Sequence, residues 1–201
     1  MVASYLPRPP DTLEQAVSSF SAARGFNIYL PVVRTGRMVP CGMNMDAWTF
    51  VQMMEKGDWQ KRPYLDCLTR LVAAAKEKVR KLDEGYLRAH ALGQPYTYDH
   101  TTWDGETPNE LVRRFGVRLP DWYPDVGNHI ESLALGHGTP QSALAALRAS
   151  PAHADHIEGR VEFFRAQTMI GVWFERFIVD RAVHPGRFTT ITVVLTVPPE
   201  S

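Results

Sequence analysis

Apolar residues recur with a helical period over much of the chain before residue 150. The strongest pattern covers residues 63–83, where apolar positions form one stripe and lysines and arginines lie outside it. The stripe consists of Leu65, Leu68, Leu71, Val72, Ala75, Val79 and Leu82. Spacings of three and four residues place these side chains on one helix face, so we predict a helix over 63–83.

Four shorter helices are predicted, over residues 12–24, 46–56, 107–115 and 140–149. The first follows Asp11, a residue type that caps helix N-termini, and ends at Gly25. The last two each open with a Thr-Pro pair, which puts proline at the first helical position. Pro151 is expected to break the helix over 140–149. Residues 85–104 mix aromatic and polar types without a period, which predicts turns and loops.

Near the C-terminus the helical period of apolar residues gives way to a pattern typical of strands. Residues 169–179 and 188–197 are rich in Ile, Val, Phe and Thr, and His184-Pro185-Gly186 separates them. This composition predicts two strands of an antiparallel hairpin. Since no repeat or linker divides the chain, the expected fold is a single α+β domain over residues 1–201, with helices packed around a small antiparallel sheet.

Composition and charge narrow the function classes. Apolar residues make up 44% of the chain and charged residues 22%, the balance of an ordinary globular protein. The 22 lysines and arginines equal the 22 aspartates and glutamates in number, so we expect no nucleic-acid partner. The sequence predicts no membrane span. Its first ten residues also lack the basic and apolar regions of a signal peptide, which keeps a cytoplasmic location open.

The two cysteines, Cys41 and Cys67, can form at most one disulfide and cannot make a four-thiolate metal site. Cys67 lies within the apolar pattern of residues 63–83, which favours a buried thiol that packs as a small apolar residue. A disulfide between them is the alternative. A reactive thiol is not expected, because burial on an apolar stripe disfavours the thiolate.

Four segments of the second half form an ordered set. Residues 100–108 read HTTWDGETP, 130–136 read IESLALG, 150–157 read SPAHADHI and 170–172 read IGV. In order and spacing they resemble bacterial members of the CAP superfamily (cysteine-rich secretory protein, antigen five, pathogenesis-related protein), also called sperm-coating-protein-like. That family has a histidine before D-G-x-T-P, then G-E-N-I-A, S-P-G-H-R-A-N-I and I-G-V. Here serine replaces the asparagine, and the third segment lacks the glycine and the arginine.

The resemblance covers residues 63–197 and leaves 1–62 as a first helix followed by a divergent insertion. It implies an α-β-α sandwich with a ligand-binding cleft, in which His100, His153 and Glu131 hold a divalent cation such as zinc. The family's second acid would fall near Ser150, where no carboxylate stands. The resemblance also implies an extracellular or cell-envelope location, with an unknown small molecule, lipid or protein as the partner.

Structural roles compete with each of these assignments. A histidine at position 100 can bond a backbone carbonyl, and one at position 153 can bond carbonyls at a helix end. Glu131 is either a solvent-facing strand residue or a carboxylate in a cleft. His129, His137 and His156 are expected at the surface or in loops, whereas Trp103 and Trp122 could line the mouth of a cleft.

Three functions follow from these alternatives. The first is a binding domain without established activity. The second is a metal-dependent peptidase or esterase with Glu131 as the base and His100 and His153 as ligands. The third is a structural or protein-interaction domain of the cell envelope. Ser150 is expected to be a turn residue and not a nucleophile, because its surroundings lack a G-x-S-x-G elbow.

Overall fold

The computed structural model describes residues 40–200. The predicted helix over residues 12–24 and the first part of the predicted insertion lie outside the described residues. The helices are a 3₁₀ turn at Pro40–Gly42 and α1 Met45–Lys56, α2 Thr69–Ala91, α3 Pro108–Arg114, α4 Pro140–Ala149, α5 Pro151–Glu158 and α6 Glu162–Arg165. The strands are β1 Asp66–Cys67, β2 Glu131–Leu135, β3 Met169–Arg176 and β4 Thr190–Val197.

The four strands form one sheet in the order β1-β3-β4-β2. β3 and β4 pair antiparallel, with Met169 opposite Val197 and Arg176 opposite Thr190, so the predicted hairpin is confirmed with shorter strands. β2 also pairs antiparallel with β4. β1 runs parallel to β3, however, so the expectation of a wholly antiparallel sheet is wrong. A parallel pair needs a long crossover connection, and the chain between β1 and β3 supplies it.

Helices pack on both faces of the sheet. Successive strand residues point to opposite faces, and in β4 all eight residues are buried. On one face Val172 and Phe174 meet α1 and α4 in one apolar cluster. On the other face Val193 and Leu195 meet α2 and α3 in a second cluster. The result is the predicted α+β class, arranged in three layers as α-β-α.

Helix α2 is displaced from its predicted position. Leu68 continues the apolar stripe but has extended backbone, and its amide donates to the Ile170 carbonyl of β3. Pairing with β3 therefore decides the conformation of residues 66–68. At the other end the helix continues through Gly85. A Cβ there would lie 2.5 Å from the Tyr96 hydroxyl, so the glycine makes room for that ring. The start of the predicted loop over 85–104 is thus helical.

The two cysteines form a disulfide. Cys41 and Cys67 are 26 positions apart and their Cα atoms lie 6.0 Å apart. The interpretation of Cys67 as a buried free thiol on a helix is therefore wrong, because Cys67 belongs to the edge strand β1. The bond attaches the turn before α1 to that edge of the sheet.

Residues close in sequence to each helix start determine where α3 and α4 begin, as predicted. Thr107 and Thr139 each cap a helix through a reciprocal capping box, with Glu110 and Ser142 as the respective partners. Pro151 ends α4, as predicted, but it also opens α5 as that helix's first residue, which the sequence analysis did not predict.

Candidate functional site

A cleft of about 230 Å³ lies where the loop before α3, the start of β2 and helix α5 meet. All three residues predicted for the site line it. The lining consists of His100, Asn128, His129, Glu131, Ser132, Ala152, His153, His156 and Phe164. The structure thus brings together residues that are 53 positions apart in the chain.

Glu131 begins strand β2, and the side chain of Asn128 fixes its backbone. The Asn128 amide nitrogen donates to the Glu131 carbonyl at 2.8 Å, and its oxygen accepts from the Glu131 amide at 2.9 Å. The Glu131 side chain is completely buried, so it is not the solvent-facing strand residue of the alternative interpretation. Its carboxylate points at two neighbours, His100 and Lys78.

His100 donates from Nδ1 to Glu131 Oε1 at 2.8 Å. An ionised carboxylate only accepts hydrogen bonds, so the proton of this bond belongs to Nδ1. In the neutral ring Nε2 then carries a lone pair, and Nε2 has no hydrogen-bond partner among residues 40–200. The ring is about one-third exposed, at 32%. His100 therefore offers the cleft one oriented acceptor nitrogen.

Lys78 of α2 lies behind this pair and is completely buried. Its Nζ is 3.4 Å from Glu131 Oε2 and also donates to the His100 carbonyl. Oε2 is buried and has no hydrogen-bond partner in the described part of the chain, so its contact with Lys78 is an ion pair without aligned hydrogen bonding. Burial lowers the pKa of Lys78, and the Glu131 charge opposes that shift. One ammonium thus compensates the carboxylate and holds the His100 loop.

His153 lies in the first turn of α5, and its ring centroid is 6.4 Å from that of His100. Its Nδ1 is 2.9 Å from the Ser150 hydroxyl, a contact that the sequence left open. Because the residue starts a helix, its predicted alternative role, bonding carbonyls at a helix C-terminus, is wrong. Burial, and next the neighbouring His100, lower the pKa of His153, which favours a neutral ring.

His156, expected in a loop or at the surface, is buried on α5 instead. Its Nε2 is 2.6 Å from the Thr196 hydroxyl, which in turn donates to Gln167 Oε1 at 2.6 Å. Thr196 must therefore accept from His156 Nε2, and His156 Nδ1 accepts from Ser132 at 2.7 Å. Burial, and next the charge of Arg62, hold the pKa of His156 well below its usual range.

The sequence contained one usable signal for His156. It follows His153 by three residues, a spacing that puts two side chains on the same face of a helix. Of the other histidines, His129 lines the cleft and its carbonyl accepts from Tyr123 and Gln167. His137 lies beyond the far end of β2, where its carbonyl accepts from a threonine of β4.

Trp103 and Trp122, expected to be packing residues that could also line a cleft mouth, do not line this cleft. Trp103 lies against the Arg88 guanidinium, which is 4.0 Å from its ring centroid. Trp122 packs edge-on against Phe163, with ring centroids 6.1 Å apart. Both rings therefore make contacts elsewhere on the surface.

Neither serine of the cleft region is arranged as a nucleophile. A serine nucleophile needs a base that a third group orients. Ser132 donates to His156, but Ser132 is completely buried, and burial lowers the pKa of that histidine, which makes it a weaker base. Ser150 contacts His153, whose Nε2 has no hydrogen-bond partner in the described chain. Ser150 links α4 to α5, as its assignment to a helix-end turn predicted.

The donors present do not fit a zinc ion. Open zinc sites use three protein ligands. Of the four histidines that line the cleft, His100 and His153 have ring centroids 6.4 Å apart, and both ring nitrogens of His156 are already bonded. The Glu131 carboxylate is buried against His100 and Lys78, away from the open space. Among the described residues there is no group of three or more His, Cys, Asp or Glu side chains placed to hold a metal ion. Zinc binding stays a prediction without a third ligand.

A larger groove of about 470 Å³ lies along α2, but it is a weaker candidate. Arg80 and Glu77 in this groove form an ion pair with each other. Its floor, formed by Val79, Phe115 and other apolar groups, offers no converging histidines. The smaller cleft, which brings oriented polar groups together, is therefore the candidate site.

Comparison with known proteins adds little to this description. No protein-family model and no curated protein matches the chain. Among solved structures the chain is similar to an outer surface protein from Borrelia burgdorferi, with 18% identity and a TM-score of 0.44. The match covers 76% of this chain and 88% of that one. Over residues 40–200, no helix has the length and apolar character that crossing a membrane requires.

Proposed function

We propose that the chain is a binding domain, and that the cleft between His100 and His153 binds an uncharged group that donates hydrogen bonds. A hydroxyl or amide group has this chemistry, whether it belongs to a small molecule or to a side chain of a partner protein. The observation that carries the proposal is the bond from His100 Nδ1 to Glu131, which leaves Nε2 as an acceptor facing no protein partner in the described residues.

The size and lining of the cleft support a small ligand. A volume of about 230 Å³ corresponds to roughly eight water molecules at about 30 Å³ each. Ala152 and Phe164 provide apolar wall, while the rings of His100 and His153 provide the polar groups. A ligand of this size would be held by one or two hydrogen bonds and by apolar contact.

The resemblance to the CAP superfamily supports the same cleft, since it singles out His100, Glu131 and His153. It also makes a divalent cation the second candidate ligand. The observation in favour of a cation is the pair of imidazoles, each with Nδ1 bonded to an oxygen and Nε2 unbonded to the described residues. Histidines that bind metals usually donate a hydrogen bond from the other ring nitrogen to an oxygen. The missing third ligand makes this candidate the weaker one.

The disulfide between Cys41 and Cys67 supports an oxidising location. Disulfides persist in secreted and cell-envelope proteins and are rare in reducing compartments. We therefore place the domain outside the cytoplasm, in the cell envelope or the extracellular space, as the CAP resemblance implies.

The test is an NMR titration of protein labelled with ¹⁵N at the histidines. The ligands are uncharged alcohols and amides of up to about eight non-hydrogen atoms, which matches the number of waters that the cleft would hold. We expect saturable shifts of the Nε2 signals of His100 and His153 with the ligands that bind. His100→Ala should abolish the shift of His153, whereas the control His137→Ala, changed beyond the far end of β2, should retain both. Absence of any saturable shift, or equal binding by His100→Ala, would contradict the proposal.

A further inference from the structure

A buried ion pair, Lys78 and Glu131, lies behind the cleft. Binding of an uncharged ligand by His100 and His153 does not in itself require this pair. Lys78 and Glu131 both have completely buried side chains, yet each is a residue type that is almost never fully buried unless it is paired. The two oxygens of the Glu131 carboxylate have different neighbours, since Oε1 contacts His100 and Oε2 faces Lys78.

A buried carboxylate requires a compensating charge. Of the described lysines and arginines, Lys78 alone places a nitrogen within 4 Å of the Glu131 carboxylate. Without that ammonium, the carboxylate would leave a net negative charge beside two imidazoles. That charge would attract a divalent cation held by the two imidazole nitrogens, a ligand type that suits zinc. Lysine and a divalent cation are thus alternative ways to compensate the same charge.

We infer that Lys78 is a specificity-determining residue, whose ammonium neutralises Glu131 so that the cleft takes uncharged ligands and disfavours divalent cations. The inference rests on the proposed function, since it concerns what the same cleft binds. It gives the converging histidines and glutamate a role that needs no metal, because a side chain of α2 supplies the positive charge that compensates Glu131. The bond from Lys78 to the His100 carbonyl fixes the loop at the same time.

The electrostatic consequence has a definite sign. Two like charges repel and two unlike charges attract, and both effects are strong where water is excluded. With Lys78 present, a cation at the imidazoles meets no net attraction from the neutral pair. With Lys78 removed, it meets the Glu131 anion. The full negative charge of Glu131, which lies next to the His100 imidazole, changes the affinity of a divalent cation by at least about tenfold.

The test is calorimetry with zinc chloride at about pH 7.5, above the reference pKa of histidine. It compares the parent protein with Lys78→Met, which has nearly the same length and no charge. We expect Lys78→Met to bind zinc at least about tenfold more tightly than the parent. Lys78→Met/Glu131→Gln, which removes both charges, should return to the parent affinity. Lys76→Met, the same substitution on the same helix beside Trp173, is the matched control and should also equal the parent.

Equal zinc affinities in the parent and in Lys78→Met overturn the inference. A gain that persists in Lys78→Met/His100→Ala overturns it too, because the zinc would then lie outside the cleft. If Lys78→Met is recovered only as inclusion bodies, its refolding yield is measured with and without zinc in place of calorimetry. A yield that zinc leaves unchanged then contradicts the inference. The NMR shifts that uncharged ligands cause in the parent protein are measured separately. Their absence would contradict the proposed function, whereas the zinc affinities of the parent and of Lys78→Met test the role of Lys78.

Discussion

Breaking the disulfide between Cys41 and Cys67 should lower the free energy of unfolding by about 3.5 kcal/mol. The two cysteines are 26 positions apart. A cross-link that closes a loop of that length removes about 12 cal/mol/K from the entropy of the unfolded chain, which is about 3.5 kcal/mol at 25 °C. The bond also holds β1, an edge strand of two residues whose only strand neighbour in the described sheet is β3. We therefore expect fraying of this edge before the central strands separate.

The measurement is unfolding in guanidinium chloride of the parent protein and of Cys41→Ala/Cys67→Ala, each with and without a thiol reductant. The reduced parent should match the double variant, and the double variant should not respond to the reductant. A difference below about 1 kcal/mol between the oxidised parent and the double variant would refute the reasoning, because a cross-link spanning 26 positions of a disordered chain must contribute more than that.

Two further predictions concern buried positions, one in the wall of the cleft and one where β3 packs on α2. The folded state holds the pKa of His156 well below that of the unfolded chain. Unfolding therefore takes up a proton at low pH. The protein should lose about 1 kcal/mol of stability as the pH falls from about 6.5 to 5.5. Urea midpoints should show this loss in the parent and not in His156→Gln. Gly171→Ala would place a Cβ 2.3 Å from the backbone of Leu71, so thermal unfolding should show a destabilisation of about 3 kcal/mol or more. Gly138→Ala, where a Cβ meets nothing within 4 Å, should be nearly neutral.

Much of the architecture could be predicted because its signals are local. The two Thr-Pro pairs specify their helix starts through contacts within four residues, and the structure keeps both. The hairpin of β3 and β4 could be predicted because strand-forming residues cluster on either side of a turn. Strand β1 could not, since its two residues pair with Met169 and Ile170, about one hundred positions later. The same pairing moved the start of α2 and brought Cys67 to Cys41.

The residues of the candidate site could be named from the sequence, whereas their contacts could not. His100, Glu131 and His153 belong to segments with recognisable patterns, and all three line one cleft. The burial of Lys78 has no such signal, because it lies among the polar residues outside the apolar stripe of α2. It is buried because the loop around His100 folds over that side of the helix, which is a long-range contact. Burial of His156 depends equally on distant partners, Ser132 and Thr196.

These distant partners determine what a ligand meets in the cleft. Both ring nitrogens of His156 are bonded to Ser132 and Thr196, and Glu131 is bonded to His100 and compensated by Lys78. The polar groups in the wall are thus largely satisfied or neutralised from within the protein, and the Nε2 atoms of His100 and His153 remain for a ligand. Charge then contributes little to recognition, and selectivity depends on the shape of about 230 Å³ and on hydrogen-bond direction. A protein with this cleft should therefore discriminate between ligands by fit, with a weak dependence of affinity on ionic strength.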